Sequence, residues 1–211
     1  MLVLHGGTRD SFDPVPRRNL AGLRMWPIIT TIRALGGRKG PVVEPVRYRV
    51  RGWNGAETSP VPDARAALAS VHKRYGDLPV VLVGHSMGAR TSLRVADDPR
   101  VVAVVGMAPW TPGDEPAAQT AGRKLLFLQG DHDTVTPPGD SLDYAQRASA
   151  AGATVARVVV RRDGHAMLRR WPTWHRLAVD LVLAEAGVRR LSPFLSTAFE
   201  RGAVGDFEVP V

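Results

Sequence analysis

The chain has 211 residues and no cysteine, which suits one domain with a sizeable core and excludes disulfides, thiolate metal sites and a cysteine nucleophile together. Its formal charge is +8, carried almost wholly by arginine, because lysine occurs only at Lys39, Lys73 and Lys124. No run of about 18 apolar residues occurs, which excludes a transmembrane helix, and the first seven residues lack the basic and long apolar segments of a secretory signal, so the expected compartment is the cytoplasm.

In chain order, Leu2 to Leu4 reads as a strand end. Asn19 to Leu35 carries Leu20, Leu23, Ile28, Ile32 and Leu35 near helical spacing, with Pro27 breaking or kinking it. Pro45 to Val50 alternates and reads as a strand, and Asp63 is the expected N-cap of a helix from Ala64 to Tyr75, closed by Gly76. Pro79 to Val83, Val101 to Val105 and Lys124 to Leu128 are apolar runs of the kind found in buried parallel strands. Helices are expected at Ala89 to Ala96, Asp140 to Ala151 and Trp174 to Ala186, the last two ending at Gly152 and Gly187, with a last strand at Ala153 to Val160. This alternation implies βαβ units and a mostly parallel sheet with helices on both faces, over residues 1–187. Residues 188–211 form a tail without a firm signal, left open between packing on the body, meeting a partner and disorder.

Chemistry concentrates in Gly84-His85-Ser86-Met87-Gly88, which follows the apolar run Val80 to Val83 and precedes a helix pattern. In a G-x-S-x-G turn of this kind the serine takes a strained backbone conformation, and side chains in place of the glycines would collide with the neighbouring strand and helix. A serine hydroxyl needs a base, and the base needs an orienting group. Downstream of Ser86 the histidines are His132, His165 and His175. His165 follows the last predicted strand, at the carboxyl edge where ligands bind in open α/β folds, and is the expected general base. His175 falls within a helix pattern and reads as a packing histidine; His132 can at most assist. For the acid, Asp131 and Asp133 compete, with spacing only weakly favouring Asp133, while Asp163-Gly164 reads as a turn.

Together the Gly84–Gly88 elbow, the Gly130 to Pro137 segment and Gly164-His165 resemble the α/β-hydrolase superfamily, over Leu2 to about Gly187. The resemblance implies the chain order Ser, acid, His. It also implies Asp133 as the acid, through the pattern Gly-x-x-Asp-x-x-x-Pro. His5-Gly6-Gly7 is similar to the family's oxyanion loop after its third strand, which implies an oxyanion hole of the Gly7 and Met87 N–H groups, with His5 as a neutral brace. Val104 to Trp110 resembles the segment after the sixth strand of dienelactone-hydrolase-like and cutinase-like serine esterases, which implies Trp110 as a substrate-binding wall. Measured against that family the chain begins on the third strand, so the first two strands are expected to be absent. Only Thr111 to Arg123 stands where a lid would be, so a minimal, lidless fold is expected, with Asn19 to Leu35 as an alternative cover.

The expected activity is therefore hydrolysis of a small-molecule ester or thioester by Ser86, His165 and Asp133, with no metal or organic cofactor and with short acyl groups favoured. A peptidase or acyltransferase with the same three residues is the nearest alternative, and a non-catalytic polyanion binder a more distant one. The arginines are spread along the chain, the densest pairs being Arg17-Arg18, Arg161-Arg162, Arg169-Arg170 and Arg189-Arg190. They make no long run and no aromatic residues interleave with them, so surface bias is expected rather than an anion-binding patch, with neither specific nucleic-acid nor membrane binding. Nothing in the sequence speaks to oligomeric state.

Overall fold

Each continuous apolar run becomes a strand buried on both faces, as a parallel sheet between two helical layers requires. The computed structural model describes residues 1–16 and 19–211; the Arg17-Arg18 pair lies outside the described residues. The strands are β1 (Leu2–Leu4), β2 (Glu44–Pro45), β3 (Val80–His85), β4 (Val101–Met107), β5 (Lys124–Gly130), β6 (Thr154–Val160) and β7 (Val209–Pro210). They form one sheet in the order β2-β1-β3-β4-β5-β6-β7, and every pairing is parallel. The helices are α1 (Leu20–Leu23), α2 (Trp26–Gly36), α3 (Pro60–Tyr75), α4 (Met87–Arg94), α5 (Pro138–Ala150), α6 (Trp171–Glu185) and α7 (Pro193–Ala203).

Strand side chains alternate between two cores. Val81, Val83, Leu126 and Leu128 point to a layer of α2, α6 and α7, where they meet Ile28, Ile32, Leu181 and Leu195. Leu82, Leu125 and Phe127 point to the opposite layer, where they meet Leu68 of α3, Leu93 of α4 and Tyr144 of α5. No helix among the described residues is long and apolar enough to cross a membrane.

Several expected elements are redrawn, each for a local reason. Asn19 to Leu35 is broken into two helices, as Pro27 allowed, but the break falls at Arg24-Met25 and not at Pro27. Asn19 caps α1 by accepting from the Ala21 N–H at 3.1 Å, and Pro27 sits in the first turn of α2, where its missing N–H costs nothing. Because α2 buries Ile28, Ile29 and Ile32 in the core, it is a body helix and not a cover. The strand expected at Pro45 to Val50 joins the sheet only at Glu44–Pro45, with an isolated bridge from Val50 to Pro14. Its alternation is real, with Val46 and Tyr48 buried and Arg47 and Arg49 exposed, but it belongs to a half-buried edge segment that leaves the ladder. Asp63 does not cap α3, which starts three residues earlier at Pro60; its carboxylate instead accepts from the Arg49 backbone N–H at 2.9 Å and from Arg49 Nε at 2.6 Å. Residues 188–211 carry α7, packed on β6, and β7, paired beside β6. Between β4 and β5 only the single turn Ala118–Thr120 is helical, so no cap rises over the carboxyl edge there.

Candidate active site

Strand β3 ends at His85 and α4 starts at Met87, so Ser86 alone makes the turn between them. Its backbone stands at φ 55° and ψ −120°, outside the usual regions for an L-residue, a strain on the order of 1–3 kcal/mol that the surroundings must hold. The glycines on either side make the hold possible. A Cβ on Gly84 would collide with the Gly88 carbonyl in α4, and one on Gly88 would collide with the Leu4 carbonyl of β1. The Ser86 N–H donates to the Met107 carbonyl at 3.0 Å, tying the turn to β4.

His165 lies in the loop between β6 and α6, and its Nε2 is 3.0 Å from Ser86 Oγ. Its Nδ1 is 3.0 Å from Asp133 Oδ2. With Nδ1–H donating to the carboxylate, Nε2 is free to accept the serine proton. Asp133 is buried, 4% exposed, and fully engaged. Its Oδ1 accepts from the Val135 and Thr136 N–H groups, both at 2.9 Å. Its Oδ2 accepts from Thr136 Oγ1 at 2.7 Å and Gln129 Nε2 at 3.1 Å. Burial opposes its ionisation, but the hydrogen bonds from His165 and from the Thr136 backbone and hydroxyl outweigh it and bring the carboxyl down to about 2.

The competing carboxylates have other partners. Asp131 accepts from the Arg162 N–H at 2.7 Å and so ties the β5 loop to the β6 loop. Asp163 is buried and accepts from the Arg170 N–H and from Trp174 Nε1, both at 2.9 Å, which shapes the loop that carries His165. His132 is largely exposed, and His175 packs against Trp171 inside α6.

His85 is a residue that sequence reasoning passed over as the variable position of the elbow. It is buried, and its Nε2–H donates to the His165 carbonyl at 2.9 Å. Its ring lies 4.9 Å from the His165 ring. Burial first, then the neighbouring His165, lowers its pKa to about 3, so it stays neutral while it holds the base loop. One signal was available: His85 shares the parity of Val81 and Val83, which points it toward the layer of α6 and the loop before it.

Gly7 lies against the Met87 side chain, at the start of α4. Neither the Gly7 nor the Met87 N–H donates to another group among the described residues, so both are available to an oxygen beside Ser86. His5 braces this loop: its Nδ1–H donates to the Gly6 carbonyl at 2.7 Å, and its ring meets Tyr48 edge-on at 4.6 Å. Burial lowers its pKa, which favours the neutral ring.

Trp110 adjoins the elbow, its backbone N–H donating to the Ser86 backbone carbonyl at 3.4 Å. Its ring is clamped: the Arg90 guanidinium lies 4.4 Å from it and 3.9 Å from Trp53, while the buried Glu115 carboxylate pairs with both Arg90 and Arg94. Two cavities open elsewhere, on the side of the Gly6-Gly7 loop. One of about 320 Å³ is lined by Gly6, Gly7, Asn19 and Arg51; one of about 610 Å³ is lined by Val3, Trp26, Ile29, Arg33 and Val46. Trp110 lines neither, whereas Trp26 of α2 lines the larger. Among the described residues, no group of three or more histidines and carboxylates is placed to hold a metal ion.

A strained serine between a central strand and a helix, on a parallel sheet of this order, is the plan of the α/β hydrolases. The family model for the alpha/beta hydrolase family matches residues 1–211, and the chain belongs to that family. Among solved structures, a protein of unknown function from Agrobacterium tumefaciens, described as an α/β hydrolase, is 17% identical with a TM-score of 0.68, covering 91% of this chain and 87% of that one. A monoacylglycerol lipase from Paleococcus ferrophilus is 16% identical with a TM-score of 0.60, covering 87% of this chain and 93% of that one. The esterase domain of a Rhodothermus marinus protein is 18% identical with a TM-score of 0.56, covering 87% and 85%. No curated protein matches the sequence.

Proposed function

We propose that this hydrolase cleaves carboxylic esters or thioesters through an acyl-enzyme on Ser86. The observation that carries the reading is the unbroken hydrogen-bonded line from Ser86 Oγ through His165 to Asp133, with 3.0 Å at each step. Ser86 Oγ adds to the carbonyl carbon as its proton passes to His165 Nε2, and the oxyanion is received by the Gly7 and Met87 N–H groups. His165 then gives that proton to the leaving alcohol or thiol. Water, deprotonated by the same nitrogen, releases the acid and restores Ser86. Asp133 holds the imidazole in the required tautomer and stabilises it when charged.

The α/β-hydrolase membership and the lipase and esterase among its structural relatives support this class of chemistry. The lack of a cap over the β4–β5 connection leaves the acyl-enzyme open to water, which favours hydrolysis over acyl transfer. The test is a fluorophosphonate probe together with a panel of para-nitrophenyl esters, thioesters and amides. Labelling at Ser86, with turnover of esters or thioesters and not of amides, is the expected result. Labelling elsewhere, or ester turnover unchanged in Ser86→Ala, would overturn it.

A further inference from the structure

Away from the candidate site Arg65 sits on Asp97, Arg74 on Glu44 and Arg100 on Asp98, while Arg38, Arg123, Arg161, Arg169, Arg176 and Arg190 meet no carboxylate among the described residues. What sets the cavity arginines apart is their place on the walls. Arg33 and Arg47 line the larger cavity and Arg51 the smaller, and none of the three pairs with a carboxylate among the described residues. Among the described residues no Asp or Glu lines either cavity. Nearby carboxylates are turned elsewhere, Glu44 to Arg74 and Tyr75, and Asp13 to Ser11. Arg33, Arg47 and Arg51 are exposed, with Arg33 also donating to the Val43 carbonyl at 3.1 Å, and walls that carry positive and no negative side chains suit an anionic ligand.

The cavity walls also give that ligand a shape. The two cavities share His5, Val15, Pro16 and Asn19, so they adjoin. The smaller is lined by Gly6 and Gly7, and a Cβ added to Gly6 would lie 3.5 Å from the Ser86 Cβ, so this loop separates the smaller cavity from the serine. The larger is walled by Val3, Met25, Ile29 and Val46, all buried and apolar. Trp26, Ile29 and Arg33 occupy positions i, i+3 and i+7 of α2 and form one stripe along it. At 1.5 Å per residue, Arg33 lies about 10 Å along the helix from Trp26.

We propose that the substrate is an ester or thioester whose acyl chain is apolar along its length and ends in an anionic group, a carboxylate or a phosphate. The chain runs from Ser86 past the Gly6-Gly7 loop, lies against Trp26 and Ile29, and presents its charge to Arg33 and Arg47. This rests on the hydrolase reading above and extends it to a substrate class. It also assigns part of the chain's basic charge a function that surface bias alone does not supply.

The experiment compares three para-nitrophenyl esters of equal chain length: the neutral octanoate, the monoester of octanedioic acid, and an eight-carbon acyl ester ending in phosphonate. One charge-assisted contact predicts a kcat/KM advantage of about tenfold or more for an anionic ester over the octanoate. That advantage should shrink as salt rises from about 20 mM to about 500 mM. In Arg33→Met/Arg47→Met the ratio should fall to about one, while Arg65→Met, on the far pair with Asp97, should leave it unchanged. The two anionic arms separate carboxylate from phosphate as the preferred group. Binding of the same anionic ester and of the octanoate to Ser86→Ala, measured by calorimetry, reads the cavity without any turnover. Tighter binding of the anionic ester there supports the proposal even where hydrolysis fails. Equal binding and equal kcat/KM for charged and neutral esters, or a preference that survives loss of both arginines, overturns it. Loss of ester turnover and Ser86 labelling together, with the binding preference intact, would overturn the hydrolase reading instead.

Discussion

The carboxyl edge of the sheet is built in two manners. From β3 to β6 the strands run for six or seven residues, almost wholly buried, and Ser86, Asp133 and His165 stand at or just beyond their ends. Every one of those groups is held by several hydrogen bonds, Asp133 by five. From residue 8 to residue 52 the same edge has one two-residue strand and the isolated bridges Thr8–Gly52 and Pro14–Val50, and it leaves Phe12, Leu20, Leu23 and Trp26 substantially exposed. The contrast follows from what the proposed function asks of each region. Proton transfer between a serine and an imidazole tolerates little error at 3 Å, so its groups hang from rigid, doubly covered strands. Accommodating the rest of a substrate tolerates more, and the sheet edge is where a parallel sheet can spare hydrogen bonds for cavities.

The largest effects should therefore fall on the rigid region and on chemistry alone. Ser86→Ala should lower kcat by about a million-fold, because nucleophile and base act as a unit, while the protein stays folded by circular dichroism. Asp133→Asn should cost about ten-thousand-fold, through the wrong imidazole tautomer. Asp131→Asn, which loses only the tie to the Arg162 N–H, should cost far less, and steady-state kinetics on one ester compares the two directly. If Asp131→Asn proved the more damaging, the assignment of the acid would be wrong.

Next in size is a pH effect on stability. His85 has a folded pKa of about 3, below its ordinary value of 6.5, so the unfolded chain binds a proton that the folded chain refuses. Stability is then complete above about pH 6.5 and is lost as pH falls toward 3, by on the order of 2 kcal/mol at pH 5. His85→Gln, which cannot titrate, should flatten that slope between pH 7 and pH 5 in urea unfolding. An unchanged slope would mean that other groups carry it. The smallest effect belongs to the edge region: Leu20→Ser removes a side chain that is 79% exposed and should shift stability by less than about 0.5 kcal/mol.

How much was legible in the sequence differs between the same two regions. The strands from Val80 to Val160 announced themselves because a strand covered on both faces must be apolar at every position, and the elbow because only glycine fits beside Leu4 and Gly88. The edge segment at Pro45 to Val50 alternated like a strand and was not one, because half-burial gives period two whether or not a neighbouring ladder exists. Asp63 looked like a cap, but Pro60 had already started the helix, since proline needs no N–H at that position.

By itself, the sequence determined the order of strands and helices from β3 to α6 and the residue types that serine chemistry requires, because both are written in local periodicity and short steric motifs. Only the tertiary structure decided which carboxylate meets His165, since Asp131 and Asp133 are two residues apart and differ only in which loop each faces. It alone showed His85 under the base loop, Trp110 clamped by Arg90, and Arg33 and Arg47 beside a cavity without a carboxylate. Those arrangements join residues up to 80 positions apart, as His85 and His165 are, and contact at that separation is set by packing of the whole sheet rather than by any local pattern.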